Sequence, residues 1–161
     1  MKGVISLKAS IKIDSRICQN KNLFLFRTMS RSQLKGLWGF HYQLGPFTQS
    51  KLVRVIDGEV LDVVVDLRKT SKNFGKHWSF KISSENKKQL FIPQGYAHAF
   101  LTLSDTAIFS YKVDNYFSSE HDRTIIWNDK LLQIDWKFNE SDLIISDKDR
   151  KGIKFSEAEY L

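Results

Sequence analysis

Polar and apolar positions in this chain alternate in short runs, and helical periodicity is scarce before the C-terminal part. Within residues 1–27, VISLKASIKI and NLFLF are strand-like pieces separated by the polar stretch DSRICQNKN. MSRSQLKG, residues 29–36, has the character of a polar connector. LWGFHYQ follows, and if it is extended then His41 and Gln43 share one face, because side chains alternate along a strand. The stretch 37–68 organises the rest. KLVRV and EVLDVVVDL flank Asp57-Gly58, a strong short-range signal for a hairpin, here predicted to line one wall of a pocket. RKTSKNFGK is a Lys-rich loop, HWSFKIS alternates again, and SSENKKQ is a turn. LFIPQGYAHAFLTLS is a strand interrupted by Pro93 and Gly95, which suits an edge or a bend. TAIFSYKVDNYF places Ala107, Phe109 and Tyr111 on one face. NDKLLQIDW suggests a turn of helix and SDKDRKGIKFSEAEY a small C-terminal helix. Many short strands, with turns roughly every 8 to 12 residues, predict an all-β barrel or sandwich.

Composition narrows the class. The 161 residues suit one domain, 1–161, with 42% hydrophobic and 13% aromatic content. No run is long enough to span a membrane, and no signal peptide is expected. The single Cys18 excludes an intramolecular disulfide and suits a reducing cytoplasm; in a polar connector it is a weak nucleophile candidate. The net charge of +7 permits an anionic partner. That partner is either a nucleic acid or a small phosphate-bearing ligand, but the basic residues are spread along the chain with no dense basic block, so scattered surface lysines account for most of the charge and nucleic acid is disfavoured.

Four polar side chains stand at mid-strand positions that can point inward: His41, Lys51, His98 and Tyr111. A polar group enclosed in a small barrel needs a partner or a ligand. A base, an acid and a cation on neighbouring strands form a working set for proton transfer beside a carbonyl. His77 and His121 lie in polar surroundings and are taken as solvated. Barrels of this type often hold a metal through two His separated by one residue. Here the matching pair is His41 and Gln43, so no metal is expected.

Several segments together resemble the dTDP-4-dehydrorhamnose 3,5-epimerase family. They are GLWGFHYQ, KLVRVIDGEVLDVVVDLRKTS, FGKH, ISSENKKQLFIPQGYAHAFLTLSDTA, YKVDNYF, EHDRTIIWND and SDKDR, in order from about residue 30 to 150. The resemblance implies a cupin-type jelly roll with a short C-terminal helical segment. It also implies a homodimer that works without metal or cofactor on a nucleotide-diphospho 4-keto-6-deoxy sugar. By resemblance, His41 is the general base, Asp149 the carboxylate that orients it, Tyr111 the acid and Lys51 the cation near the keto oxygen. His98, Gln43 and Trp38 fall among the substrate contacts.

This member is divergent. The family usually has Arg where this chain has Trp38, and an indole cannot grip an anion in bidentate fashion. The family's early Asp-x-Arg-Gly-x-Phe segment is not visible, and Phe26 stands where a polar Gln is common. These departures imply retained proton chemistry on an altered substrate, with CDP and GDP sugars as candidates beside dTDP and with C3, C5 or both inverted. The competing readings are a related ketoisomerase and a catalytically silent barrel that binds a nucleotide sugar.

Overall fold

The structure is a computed structural model that describes residues 4–6 and 26–161, with side chains described from Ser32 onward. Eleven strands are described: β1 (Val4–Ser6), β2 (Phe26–Gln33), β3 (Gly36–Gln43), β4 (Lys51–Asp57), β5 (Glu59–Asp66), β6 (His77–Ser83), β7 (Gln89–Ile92), β8 (Tyr96–Thr102), β9 (Thr106–Val113), β10 (Asp122–Ile125) and β11 (Ile144–Ile145). One short helix, α1 (Asp147–Arg150), and two 3-10 turns lie near the C-terminus. The strands form two sheets, ordered β1-β7-β4-β9-β2 and β10-β3-β8-β5-β6, with β11 running parallel to β3. This is a cupin-like all-β fold. The strand-like readings of residues 7–25, and Cys18, lie outside the described residues.

Two apolar layers sandwich the second sheet. Its inner face and the facing side of the first sheet bury Val53, Val55, Val60, Val64, Ile82, Leu90, Ile92, Phe100 and Phe109. Its outer face carries Leu37, Phe40, Tyr42, Val63, Ala99 and Leu101, and the C-terminal segment covers it with Trp127, Trp136, Ile145 and Phe155. That double burial explains why β5 is buried almost along its whole length and carries the apolar run Val63–Val65 instead of alternating. Phe40 is fully buried in the outer layer, where truncation to Ala costs about 3–5 kcal/mol.

Four expectations need correction. Asp57-Gly58 is not the tip of a hairpin, because β4 pairs with β7 and β9 whereas β5 pairs with β6 and β8. Gly58 (φ +79°) carries the chain from one sheet to the other, and a Cβ there would meet the Thr106 carbonyl oxygen at 2.2 Å. Likewise, residues 90–104 form two strands in different sheets, joined through Gly95 (φ +92°), and β8 is a central strand. The supposed connector 29–36 mostly belongs to β2, a strand at the edge of its sheet, where polar residues are tolerated. NDKLLQIDW forms turns rather than helix: Leu132 and Trp136 are buried, and the Trp136 indole N–H donates to the Trp127 carbonyl at 2.9 Å.

Candidate active site

A cavity of about 260 Å³ opens between the two sheets, lined by His41, Lys51, His98, Phe100, Phe109 and Tyr111 among others. The sheet register explains this convergence. His41 on β3 stands opposite His98 on β8, so both rings project from the same face of the second sheet. Lys51 on β4 pairs with Val113, and Val53 pairs with Tyr111, so Lys51 and Tyr111 share a face of the first sheet. The four polar residues picked out by strand parity therefore line one space, two from each wall.

Strand parity alone fails for Trp38. It is three residues from His41, which would put it on the opposite face of a regular strand. The β3–β8 register slips between them, so that Trp38 stands opposite Phe100 and His41 opposite His98. Phe100 and His98 are two apart, and the slip thus returns the indole to the imidazole's side. Trp38 stacks on Phe100 with centroids 5.9 Å apart and planes 11° apart, and it remains 47% exposed. Phe100 in turn stacks on Phe109 at 4.3 Å. Trp38, His41 and Lys148 also border a second, larger cavity of about 800 Å³.

The His41 ring is held from both sides. Its Nε2 lies 2.7 Å from Asp149 Oδ1, and its Nδ1 lies 3.1 Å from the Thr124 hydroxyl on the paired strand β10. Asp149 is only 3% exposed. Burial alone would raise its pKa, but hydrogen bonds from His41 and Ser146 and the nearby imidazole hold it below the ordinary carboxylate value. An ionised carboxylate only accepts, so the imidazole carries a proton on Nε2, and in the neutral ring Nδ1 is then the acceptor.

Local sequence builds this dyad. Ser146 caps α1, accepts from the Asp149 backbone N–H at 3.2 Å and donates to Asp149 Oδ2 at 2.7 Å. Ser-Asp-Lys-Asp has the spacing of a capping box. β11 runs beside β3 and brings α1 against it. Gly39 makes the approach possible, since a Cβ there would meet Asp149 Oδ1 at 2.9 Å.

A second His–Asp pair lies deeper. His98 Nε2 is 2.9 Å from Asp62 Oδ2, and Asp62 is fully buried. Burial raises the Asp62 pKa, and the His98 and Lys51 charges act against that rise. Lys51 donates to the His41 carbonyl oxygen at 3.4 Å. Burial pulls its pKa down to about 8, while Asp122 and Asp62 hold it from falling further. Asp122 also pairs with Lys148 at the cavity rim.

Gln43 faces the cavity wall, yet its amide is engaged with backbone at Phe47, Tyr116 and Ser118. Asp62, Thr124, Asp122 and Phe117 were not singled out from the sequence. Of these, only Asp62 left a signal: a carboxylate in the middle of the strand-like run EVLDVVVD, flanked by Leu61 and Val63. Among the described residues, no group of three or more His, Cys, Asp or Glu is placed to hold a metal ion.

The profile described as dTDP-4-dehydrorhamnose 3,5-epimerase matches residues 11–157. The chain belongs to that family. It is therefore an isomerase by membership. The dTDP-4-dehydrorhamnose 3,5-epimerase of Shigella flexneri is 49% identical over 131 residues, which cover 81% of this chain and 71% of that protein. A crystal structure of the Elizabethkingia anophelis enzyme superposes with a TM-score of 0.83 at 44% identity, covering 85% of this chain and 75% of the other. A Legionella pneumophila epimerase crystallised with dTDP-4-keto-L-rhamnose gives 0.83 at 39% identity, covering 89% and 76%. In this chain His41, Lys51, His98 and Tyr111 line the smaller cavity, and the Asp149 carboxylate is bonded to His41.

Proposed function

We propose that this protein is an epimerase that inverts C3, C5 or both in a nucleotide-diphospho 4-keto-6-deoxyhexose, in deoxysugar synthesis for a surface polysaccharide. The observation that carries the reading is the arrangement of His41, Lys51, His98 and Tyr111 around one cavity, with the Asp149 carboxylate bonded to His41. dTDP is the first nucleotide to test, because the relatives named above act on or bind dTDP sugars.

The hexose ring lies between His41 on one sheet and Tyr111 on the other. A C–H beside the ketone is a weak acid. His41 Nδ1 takes that proton as the Thr124 hydroxyl gives way, and Asp149 steadies the imidazolium that results. The bonding pair moves toward the ketone and negative charge grows on O4. The Lys51 ammonium meets that charge, which is greater in the transition state than in the substrate, so the contact lowers the barrier. Tyr111 returns a proton to the opposite face and the centre inverts. Exchange with solvent resets both groups. One proton is removed and one is added, so the carbon oxidation state is unchanged and the chemistry calls for no redox cofactor. His98, fixed by Asp62, and the Trp38 face bound the sugar. The family resemblance adds a homodimer and the single Cys18 a reducing cytoplasm, and light scattering on the purified protein checks the dimer.

The exposed Trp38 favours a second reading, a barrel that binds nucleotide sugars without turnover. NMR with dTDP-, CDP- and GDP-4-keto-6-deoxyglucose decides between them. Conversion of at least one substrate to an epimer supports the enzyme. Binding of a sugar nucleotide with no epimer from any of the three overturns it.

A further inference from the structure

We infer that Gln43 is a positioning residue that pins together the two loops forming the cavity mouth. This rests on the reading of that cavity as the sugar site. Gln43 is 5% exposed, and the structure shows a use for each end of its amide. Nε2 donates to the carbonyl oxygens of Phe47 at 2.7 Å and Tyr116 at 3.0 Å. Oε1 accepts from the Ser118 backbone N–H at 2.6 Å. One side chain thus satisfies three backbone groups on two loops, residues 44–50 and 114–121, that are far apart in sequence. A buried amide so engaged is costly to remove, because each abandoned partner is left unpaired.

The two loops are also joined by the Leu44 N–H donating to the His121 carbonyl at 2.9 Å, by the Phe47 and His121 rings at 4.7 Å, and by side-chain contacts. The Asn115 amide donates to Pro46 and Thr48 carbonyls at 3.0 and 3.2 Å, and the Gln49 amide donates to the Asn115 carbonyl at 2.9 Å. The Ser50 N–H donates to Asp114 at 2.7 Å. Each loop contributes a side chain to the mouth: Gln49 from one and Phe117 from the other. Phe117 is 68% exposed between Tyr116 and Ser118, the two residues whose backbone Gln43 holds. An exposed aromatic on a loop loses its aim when the loop moves. Gln43 therefore acts on substrate through Phe117 and Gln49, at the binding step, not at the proton transfer between His41 and Tyr111.

The test is a double-mutant cycle with a second readout that needs no turnover. Phe117→Ala is expected to raise KM for the accepted sugar nucleotide about tenfold with kcat within twofold. Gln43→Leu is expected to do the same, and the double variant to be no worse than either single one, because both remove one contact. Asn115→Ala, which loosens the same junction from the surface, gives a smaller KM rise. Amide hydrogen exchange read on Ser118 should quicken at least tenfold in Gln43→Leu while Phe40 and Tyr42 amides stay protected. Multiplicative KM effects, a loss confined to kcat, or unchanged Ser118 exchange would each overturn the pin. If the wild-type protein turns over no sugar nucleotide, the functional reading fails by itself, and Ser118 exchange still decides whether Gln43 holds the loops.

Discussion

Replacing Lys51 with Met should make the protein more stable and almost inactive. Burial lowers the ammonium from an ordinary 10.5 to about 8, a net figure that already includes the help of Asp122 and Asp62. At 1.36 kcal/mol per pKa unit, that drop corresponds to about 3 kcal/mol of folding free energy opposed by the enclosed charge. Met keeps most of the chain's bulk without the charge. Allowing for the two carboxylates left behind, the expected gain at pH 7 is about 1–3 kcal/mol. The sign follows from proton counts. Below about pH 8 both folded and unfolded chains carry the proton, and the folded form bears the whole cost. Between about 8 and 10.5 the unfolded chain binds more protons, so the wild-type protein gains stability as pH rises and the advantage of Met shrinks. Urea unfolding of both proteins at pH 6, 7, 8.5 and 9.5 measures this. Solvent exchange into the substrate should meanwhile fall about 10²–10³-fold, as when one oxyanion donor is lost. A variant less stable at pH 7, or a stability difference flat with pH, would refute the electrostatic account of Lys51. Unimpaired exchange would refute its catalytic role.

Asp149→Asn should cut kcat about 10³-fold with little change in KM, since an amide cannot stabilise the imidazolium, and steady-state kinetics checks this. Tyr111→Phe should leave proton abstraction measurable as deuterium uptake while lowering epimer yield at least tenfold; an unchanged yield would make Tyr111 only a cavity wall. Trp38→Arg should lower KM for a dTDP sugar several-fold and make binding salt-sensitive, because an arginine grips the diphosphate through charge where the indole does not. KM measured in 50 and 500 mM NaCl checks it.

Strand periodicity located most of the strands and put His41, Lys51, His98 and Tyr111 on inward faces, because alternation reports directly on which side of a sheet a residue lies. It could not say which sheet a strand joins. Asp57-Gly58 signals a turn equally well whether the flanking strands pair with each other or part company, and here they part. Nor could alternation foresee the slip in β3 that turns Trp38 toward His41, since a regular period of two carries no sign of a register shift between paired strands. Asp149 itself came from family resemblance alone; no local pattern ties a carboxylate in a C-terminal turn to a distant strand. Asp62 was legible and passed over, whereas Thr124 and Phe117 are ordinary residues made notable only by their neighbours. Gln43 lies on the expected face, but its amide is directed to backbone.

The central claim is that His41 removes a proton from carbon beside the sugar's ketone. It is tested most directly by NMR in heavy water on dTDP-4-keto-6-deoxyglucose with wild-type protein and His41→Ala. The account predicts deuterium at C3, C5 or both with the wild type and none above the uncatalysed rate with His41→Ala. Equal uptake by the two proteins would contradict it.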